Sequence, residues 1–354
     1  MSSSNLTRDE ARDRAALISD VSYEVSIDLT SEDARGVETV IHFAASRPGA
    51  TTFLDCADAE VAEATLNGRP VDTHDGVRMR LDGLEPRNEV RVRSTGEYSR
   101  SGSGLMRFRD PVDGAVYVHS DCEPMHAHQI YPCFDQPDLK ARFRFSLLTP
   151  EGWEAASNMP PTGAPEREGS GSRWRFEETP LIPTYIAAVV AGDYHVVRDR
   201  HRDTDLGVYC RRSLAPHVEA EEWVEITKQG LDFFEQAFAT PYVFGKYDQV
   251  VVPEFGAGAM ENPGLVTFNE RYIFRSNVTA TERELRAGTI LHEMAHMWFG
   301  DLVTMRWWNG TWLNEAFATF MEMLATDAYR PEWERWTAFG PARTAAFDTD
   351  ALGT

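Results

Sequence analysis

The hydrophobic periodicity of this 354-residue chain changes near residue 200, and this change constrains the fold more than any other feature. Over residues 21 to about 197, apolar and polar residues alternate, as in VSYEVSIDLT and RFRFSL, which predicts strands with one buried face. Beyond that point, apolar residues recur at steps of three and four, which predicts helices. We therefore expect an α+β protein, with an antiparallel β domain over 1–200 and an α+β domain over 201–354.

Charge and cysteine content restrict the expected partners and compartment. Acidic residues outnumber basic ones by 56 to 35, and the excess is spread along the chain, so neither nucleic acid nor a membrane surface is an expected partner. No apolar run approaches the ~20 residues that span a bilayer, and the N-terminus lacks a secretory signal pattern. The four cysteines are too few for a disulfide scaffold, so we expect a cytoplasmic location.

One predicted helix carries a metal-binding pattern. The segment TERELRAGTILHEMAHMWFG reads as a helix that starts with a capping box formed by Thr281 and Glu284. His292 and His296 lie four residues apart on one face, so both imidazoles can reach a single ion. Glu293 lies beside them, near enough to take a proton from a metal-bound water. This H-E-x-x-H pattern is typical of zinc peptidases. The alternative is an amphipathic helix with two surface histidines, in which the same pattern occurs without a metal-binding role.

The next predicted helix supplies a third candidate ligand. Glu315 lies near the start of TWLNEAFATFMEMLATDAY, nineteen residues after His296. A helix–loop–helix of this length can fold back, so that the carboxylate completes a His-His-Glu set and leaves one position for water. Glu322 lies two turns later, and we expect it to orient one imidazole through the nitrogen that does not bind metal. A solvated glutamate is the alternative reading of Glu322.

A second histidine pair has a different interpretation. His126 and His128 have an H-x-H spacing but no third ligand within sequence reach, so we attribute them to a solvated strand face. Cys122 and Cys133 flank this segment, and we expect them to be small buried side chains. The sequence therefore predicts one metal site and not two.

Several long motifs resemble the aminopeptidase N family, the gluzincin zinc metalloaminopeptidases that include relatives of leukotriene A4 hydrolase. They are the H-E-x-x-H region, GAMEN at 258–262, PCFDQPDLKARF at 132–143 and YIAAVVAGDY at 185–194. The resemblance extends along nearly the whole chain. It implies a saddle-like β domain of sandwich type followed by a thermolysin-like catalytic domain. It also implies one zinc ion per chain, and hydrolysis of the N-terminal residue from peptides by zinc-activated water.

The resemblance further implies roles for individual residues. The zinc ligands would be His292, His296 and Glu315. Glu293 would act as general base. Glu123 and Glu261 would bind the free α-ammonium of a peptide, which restricts the reaction to chain termini. Asp121 stands where the family commonly has glutamine, and it would favour N-terminal Arg or Lys if it lines the pocket for the first residue.

The GAMEN segment would bind the substrate backbone in an extended form, because small residues allow a close approach to N–H and C=O groups. Its members are Gly258, Ala259, Met260, Glu261 and Asn262. A flexible loop is the alternative reading of this Gly-Ala-rich stretch.

Family members continue past residue 354, with a catalytic tyrosine and a helical domain. From this resemblance we expect an incomplete catalytic domain, with a C-terminal region or a partner chain supplying the remainder. The alternative function is therefore a catalytically impaired fragment that binds zinc and peptide termini, because loss of one oxyanion donor lowers turnover by about two to three orders of magnitude. Endopeptidase and epoxide hydrolase activities are further alternatives. Glu123 argues against epoxide hydrolysis, because the leukotriene-type relatives have glutamine there, and Glu123 together with Glu261 argues against an endopeptidase.

Overall fold

A computed structural model describes residues 5–352 of the chain. Its first part consists of a short helix, α1 (Arg8–Leu17), followed by strands. The strands are β1 (Ile18–Asp28), β2 (Ala34–Ala45), β3 (Thr52–Asp55), β4 (Glu60–Leu66), β5 (Arg69–Pro70), β6 (Arg78–Leu81), β7 (Arg87–Glu97), β8 (Gly104–Arg109), β9 (Val116–Asp121), β10 (Arg142–Pro150), β11 (Glu154–Ser157), β12 (Glu166–Glu168), β13 (Gly171–Arg175) and β14 (Val189–Gly192).

These strands form an eight-stranded sheet of order β12-β13-β10-β1-β2-β7-β4-β5, a four-stranded sheet of order β11-β14-β9-β8, and the pair β3-β6. The alternating pattern of β1 buries Tyr23, Val25 and Ile27 on one face. Most strand pairs are antiparallel, as the sequence predicts. The exception is β1 with β10, which run parallel and place Tyr23 opposite Phe143, with the rings stacked at 4.8 Å.

The second part contains a five-stranded sheet and four helices. The sheet has the order β15-β16-β17-β19-β18, with parallel pairs at its centre and antiparallel pairs at both edges. Its strands are β15 (Tyr194–His201), β16 (Thr204–Arg211), β17 (Lys246–Val252), β18 (Ala259–Met260) and β19 (Leu265–Asn269). The helices are α2 (Ala220–Phe238), α3 (Ala280–His296), α4 (Thr311–Tyr329) and α5 (Arg335–Leu352). This arrangement confirms the α+β fold class.

Helix α3 begins two residues earlier than the sequence suggests. Thr279 and Glu282 form the capping box, in which each side chain accepts a hydrogen bond from the backbone N–H of the other. The predicted pair of Thr281 and Glu284 is therefore wrong. Glu284 instead accepts a hydrogen bond from Arg335 at the start of α5.

Hydrogen bonds join the strand-rich part to the loop after α3 and to the loop after the GAMEN segment. Lys140 Nζ donates to the carbonyls of Asp301 and Leu302, at 2.8 and 3.0 Å. Asn158 Nδ2 donates to the Pro263 carbonyl at 2.9 Å, and these loops are thereby held by side chains from the other part of the fold. We refer to these contacts as the seam.

The predicted division at residue 200 stays a prediction, and that residue lies within β15.

None of the helices within residues 5–352 is both long enough and apolar enough to cross a membrane.

Candidate active site

The last two turns of α3 bring two imidazoles together. His292 and His296 lie one turn apart, as the spacing predicts, with their Nε2 atoms 3.0 Å from each other. Their rings are nearly perpendicular, and the ring centroids are 4.7 Å apart. Both Nε2 atoms therefore point to the same small region beside the helix.

Helix α4 brings a carboxylate to the same region. Glu315 Oε2 lies 3.4 Å from His292 Nε2 and 3.8 Å from His296 Nε2. In a tetrahedral zinc site with ligands about 2.1 Å from the ion, neighbouring donor atoms are about 3.4 Å apart. The three donor atoms thus have the chemistry and the separations that fit zinc. They also lie within 4.8 Å of one another.

The outward nitrogen of each imidazole has its own partner. His292 Nδ1 lies 3.3 Å from Glu322 Oε2. His296 Nδ1 lies 3.0 Å from Asn314 Oδ1 and 3.0 Å from the Phe299 carbonyl. Contacts of this kind fix which nitrogen of a metal-binding histidine carries the proton and how the ring is oriented.

Charge around His292 favours its protonated form. Burial lowers the pKa of this imidazole, but hydrogen bonds with Glu315 and Glu322 outweigh burial and leave the pKa well above its ordinary value. For Glu322, burial raises the pKa of the carboxyl, and the hydrogen bond with His292 together with Arg335 brings the pKa below its ordinary value. The site therefore concentrates negative charge around the imidazoles, which suits a divalent cation.

Glu293 is almost completely enclosed beside this group, with 6% of its surface exposed. Burial raises the pKa of its carboxyl well above the ordinary value; His292 opposes this shift, and Glu261 reinforces it. Oxygen atoms of Glu293 and Glu261 also lie within 4.8 Å of a His296 nitrogen. A carboxyl group with a raised pKa next to a cation site is suited to accept and return a proton.

The GAMEN segment forms the edge of the five-stranded sheet. Ala259 and Met260 make up β18, which lies at the edge of that sheet and has β19 as its one strand partner among residues 5–352. Glu261 follows directly and is 4% exposed, and its carboxylate accepts a hydrogen bond from Asn314 Nδ2 at 3.3 Å. The Gly258 carbonyl accepts from Asn269, and Asn262 Nδ2 donates to Thr267, so both stabilise the segment itself.

The end of β9 contributes two further acidic side chains. Burial, and after it the charges of Glu261 and Glu315, raise the pKa of the Glu123 carboxyl to about 8. Burial also raises the pKa of Asp121, to about 6, although a hydrogen bond from the Glu123 backbone opposes this shift. The strand-rich part thus places Glu123 within electrostatic reach of Glu261, which directly follows β18, and of Glu315 on α4.

Sequence reasoning missed three residues near this site. Asn314 contacts both His296 and Glu261. Arg335 Nη2 donates to Glu322 Oε1 at 2.7 Å, and therefore holds the carboxylate that faces His292. Asp301 is fully buried, with no hydrogen-bond partner for its carboxyl oxygens among the described residues, and burial raises the pKa of this group well above its ordinary value. Of these three residues, only Asn314 could have been identified from the sequence, because it directly precedes the candidate ligand Glu315.

The interpretation of His126 and His128 as a solvated strand face is wrong. The segment Ala127–Gln129 is a short 3-10 turn, and His128 is buried with its Nδ1 2.7 Å from Asp135 Oδ2. The prediction that Cys122 and Cys133 are buried is confirmed, and both are free thiols.

Family models match both parts of the chain. Residues 22–186 match the Peptidase M1 N-terminal domain, and residues 222–354 match the Peptidase family M1 domain. Aminopeptidase N of Streptomyces lividans is 45% identical, over 99% of this chain and 42% of that protein. Aminopeptidase M1 of Arabidopsis thaliana is 33% identical, over 84% of this chain and 36% of that protein. Leucyl aminopeptidase of Saccharolobus solfataricus is 30% identical, over 94% of this chain and 42% of that protein.

The chain spans less than half the length of these relatives. The two matched regions follow the same order as the strand-rich and helix-rich parts of the fold. The resemblance to the aminopeptidase N family is thereby confirmed for the N-terminal portion of that family. The chain belongs to peptidase family M1.

Proposed function

We propose that this chain carries the zinc-binding and amine-binding half of an aminopeptidase, which removes the N-terminal residue from peptides. The observation that carries the proposal is the meeting of a His-His-Glu donor set with a buried carboxylate, Glu261, that accepts one hydrogen bond from the described residues. Relatives named aminopeptidase N and leucyl aminopeptidase support the same reaction class.

One zinc ion is the proposed cofactor, held by His292, His296 and Glu315. Zinc in such a site supplies Lewis-acid activation of water and of a peptide carbonyl. Glu322 would orient His292, because it contacts the nitrogen that faces away from the other ligands.

Glu293 is the proposed general base. Its raised pKa suits it to take a proton from the attacking water, while the hydroxide oxygen bonds to the carbonyl carbon. The same carboxyl then gives its proton to the leaving nitrogen as the carbon–nitrogen bond breaks. Water is thereby divided between the two products, and Glu293 returns to its starting state.

The amine-binding group would consist of Glu261 and Glu123. An α-ammonium placed between them would favour the ionised form of Glu123, whose carboxyl has a pKa of about 8 when burial and neighbouring carboxylates act on it. The open edge of β18 would bind the following peptide backbone as an added strand, through Gly258 to Asn262. Blocked N-termini would lack the cation that this arrangement binds.

Asp121 is the proposed determinant for the first side chain. It ends β9 two residues before Glu123, and part of its surface is accessible. A carboxylate at this position would favour substrates that begin with Arg or Lys.

The test combines metal content with turnover. We expect one zinc per chain by mass spectrometry, hydrolysis of Ala-, Leu- and Arg-anilides, and loss of both after treatment with a chelator. Glu293→Gln should retain zinc and lower turnover by about 10²- to 10⁴-fold. The matched control is Glu221→Gln, on an exposed turn of α2, which should behave like the unmodified chain.

Two results would overturn the proposal in different ways. A chain without stoichiometric zinc would reject the metal site. A chain with zinc that hydrolyses N-acetylated Leu-anilide as fast as free Leu-anilide would reject the amine-binding role of Glu123 and Glu261. Stoichiometric zinc with no turnover of any anilide would favour the catalytically impaired fragment.

A further inference from the structure

Arg271 brings a positive charge to the first residue of the GAMEN segment. It lies in the short 3-10 turn Glu270–Tyr272, which directly follows β19, and it is exposed. A Cβ atom added to Gly258 would lie 2.7 Å from Arg271 Nη2 and 3.8 Å from its Cζ. The guanidinium therefore occupies the space that a side chain at Gly258 would need.

Contacts on both sides hold the guanidinium in this place. Its Nη2 donates to the Tyr272 hydroxyl at 2.9 Å, and its Cζ lies 5.0 Å from the centre of the Tyr272 ring, which is buried. The Asn269 side chain accepts a hydrogen bond from the Arg271 backbone N–H and donates to the Ala257 carbonyl. One asparagine thus ties the turn that carries Arg271 to the residue directly before Gly258.

The charge of Arg271 has no counterion within the described part of the chain. No carboxylate among residues 5–352 forms an ion pair with it, and the adjacent Glu270 is paired with Arg211. Of the five guanidinium N–H groups, one donates to Tyr272, and the others have no acceptor among the same residues. Because a guanidinium can bind a carboxylate through two parallel N–H···O bonds, Arg271 can take an anionic ligand without breaking an existing ion pair.

A bound peptide would pass this guanidinium some distance after its first residue. In the proposed function, the ammonium group lies at Glu261 and the peptide follows β18 toward Gly258, so it runs antiparallel to that strand. Gly258 lies three positions before Glu261, and the peptide therefore reaches it at about its third or fourth residue.

The face on which the guanidinium lies also fits such a peptide. In an antiparallel pair, residues directly opposite each other have their side chains on the same face, with Cβ atoms about 4.5–5.5 Å apart. Arg271 Nη2 lies close to the position of the missing Gly258 Cβ. A peptide side chain opposite Gly258 would therefore point to the face that carries the guanidinium, within reach of an acidic group.

We infer that Arg271 binds a carboxylate at the third or fourth residue of a peptide substrate, an inference that rests on the proposed function. Gly258 contributes because its lack of a side chain leaves room for the guanidinium. The carboxylate can belong to an acidic side chain or, in a short peptide, to the C-terminus. A peptide with an ammonium group first and a carboxylate two or three residues later would match the charges along β18.

Isothermal titration calorimetry on the full, zinc-loaded chain tests this inference. Every chain carries Glu293→Gln, so that bound peptides are not hydrolysed. The ligands are the amides of Leu-Ala-Asp-Ala and Leu-Ala-Ala-Asp, each compared with its asparagine analogue. Leu-Ala-Ala and Leu-Ala-Ala-Ala, as free acids and as amides, test a C-terminal carboxylate. The added variants are Arg271→Gln, Arg271→Lys and the matched control Arg275→Gln, an exposed arginine in the loop before α3.

With Arg271 present, at least one aspartate peptide should bind about three- to ten-fold more tightly than its asparagine analogue. Arg275→Gln should keep this preference and Arg271→Gln should lose it. Arg271→Lys should retain only part of it, because the charge remains but the forked donor is lost. A preference that only the free acids show, and that Arg271→Gln removes, would assign the carboxylate to the C-terminus.

Two results would overturn the inference. One is the absence of a preference for a carboxylate from either source. The other is a preference that Arg271→Gln leaves unchanged, since an arginine that only stacks on Tyr272 would affect aspartate and asparagine peptides by the same factor.

Ionic strength gives a readout that needs no variant at Arg271. Added salt should reduce the preference for the carboxylate, because it screens the attraction to the guanidinium. Repulsion from Glu123 and Glu261 alone would give the opposite trend, and a rising preference would therefore contradict the inference. The proposed function itself would be rejected by a chain without stoichiometric zinc, or by an N-acetylated peptide that binds as tightly as the same peptide with a free amine.

Discussion

The loop after the GAMEN segment offers a sharp test of how the two parts of the fold are joined. Gly264 has φ +73°, and a Cβ atom added there would lie 2.0 Å from the Asn158 carbonyl oxygen. The next atoms it would meet are the Asn158 carbonyl carbon at 3.1 Å and the Lys246 oxygen at 3.4 Å. All three are backbone atoms, so no side-chain rotation relieves the contact in Gly264→Ala.

The cost of this substitution has two sources. Alanine in a left-handed conformation costs about 1–2 kcal/mol. The clash also forces the loop away from its neighbours, which breaks the hydrogen bonds from Lys246 to the Gly264 carbonyl and from Asn158 to the Pro263 carbonyl. Each buried bond contributes about 1 kcal/mol, so we expect Gly264→Ala to lower the free energy of unfolding by about 3 kcal/mol or more.

Urea unfolding followed by circular dichroism measures this difference. The matched control is Gly163→Ala, because Gly163 lies in an exposed loop, has no positive φ, and would have nothing within 4 Å of the added methyl group. We expect that control to change the free energy of unfolding by less than about 1 kcal/mol. Equal urea midpoints for the two variants would refute the reasoning, since they would show that the loop shifts at no cost.

Three further predictions address single side chains. Glu322→Gln should weaken zinc binding by about 10- to 100-fold, because His292 loses an ionised partner; unchanged affinity in chelator competition would reject the orienting role. Asp121→Asn should lower the ratio of Arg- to Leu-anilide hydrolysis by about ten-fold, as expected for loss of one charged contact, and an unchanged ratio would remove Asp121 as a determinant. His119 is fully buried, and burial lowers its pKa to about 3. Folding therefore favours its neutral form. As pH falls from 6.5 to 4.5, this histidine lowers the free energy of unfolding by about 2–3 kcal/mol. His119→Leu should show a smaller loss between these two pH values in urea unfolding, and an equal loss would contradict this account.

Local patterns are sufficient to predict the helices of the candidate site. The four-residue spacing of His292 and His296 is a property of one helix, and it places both rings on one side whatever the surroundings. The position of Glu315 needs only a helix–loop–helix of ordinary length. Both features depend on residues close together in sequence, which explains why the sequence alone predicts them.

The start of α3 shows where local patterns become ambiguous. The sequence contains two overlapping T-x-x-E pairs, Thr279 with Glu282 and Thr281 with Glu284. Either can cap a helix, but Glu284 is engaged by Arg335, which lies fifty-one residues further along the chain and donates to its carboxylate. No local pattern reveals that contact, and the capping box is therefore predicted two residues too late.

Long-range pairing accounts for the remaining differences. The parallel contact of β1 with β10 joins residues about 120 positions apart, and alternation of apolar residues does not specify the direction of a partner strand. Burial of His128 is a shorter-range case, because its partner Asp135 lies only seven residues further along the chain, but the H-x-H spacing does not reveal that contact either. Asn314 was missed because its importance comes from Glu261, on a different element of the fold.

The seam has a consequence for how such proteins can be recombined. Lys140 and Asn158, in the strand-rich part, donate to backbone carbonyls of the loop after α3 and of the loop after the GAMEN segment. A chimaera that takes its first half from one homologue and its second half from another would have to preserve both donors and both loop conformations. Exchange at this junction is therefore constrained by main-chain geometry, even where the facing side chains have diverged.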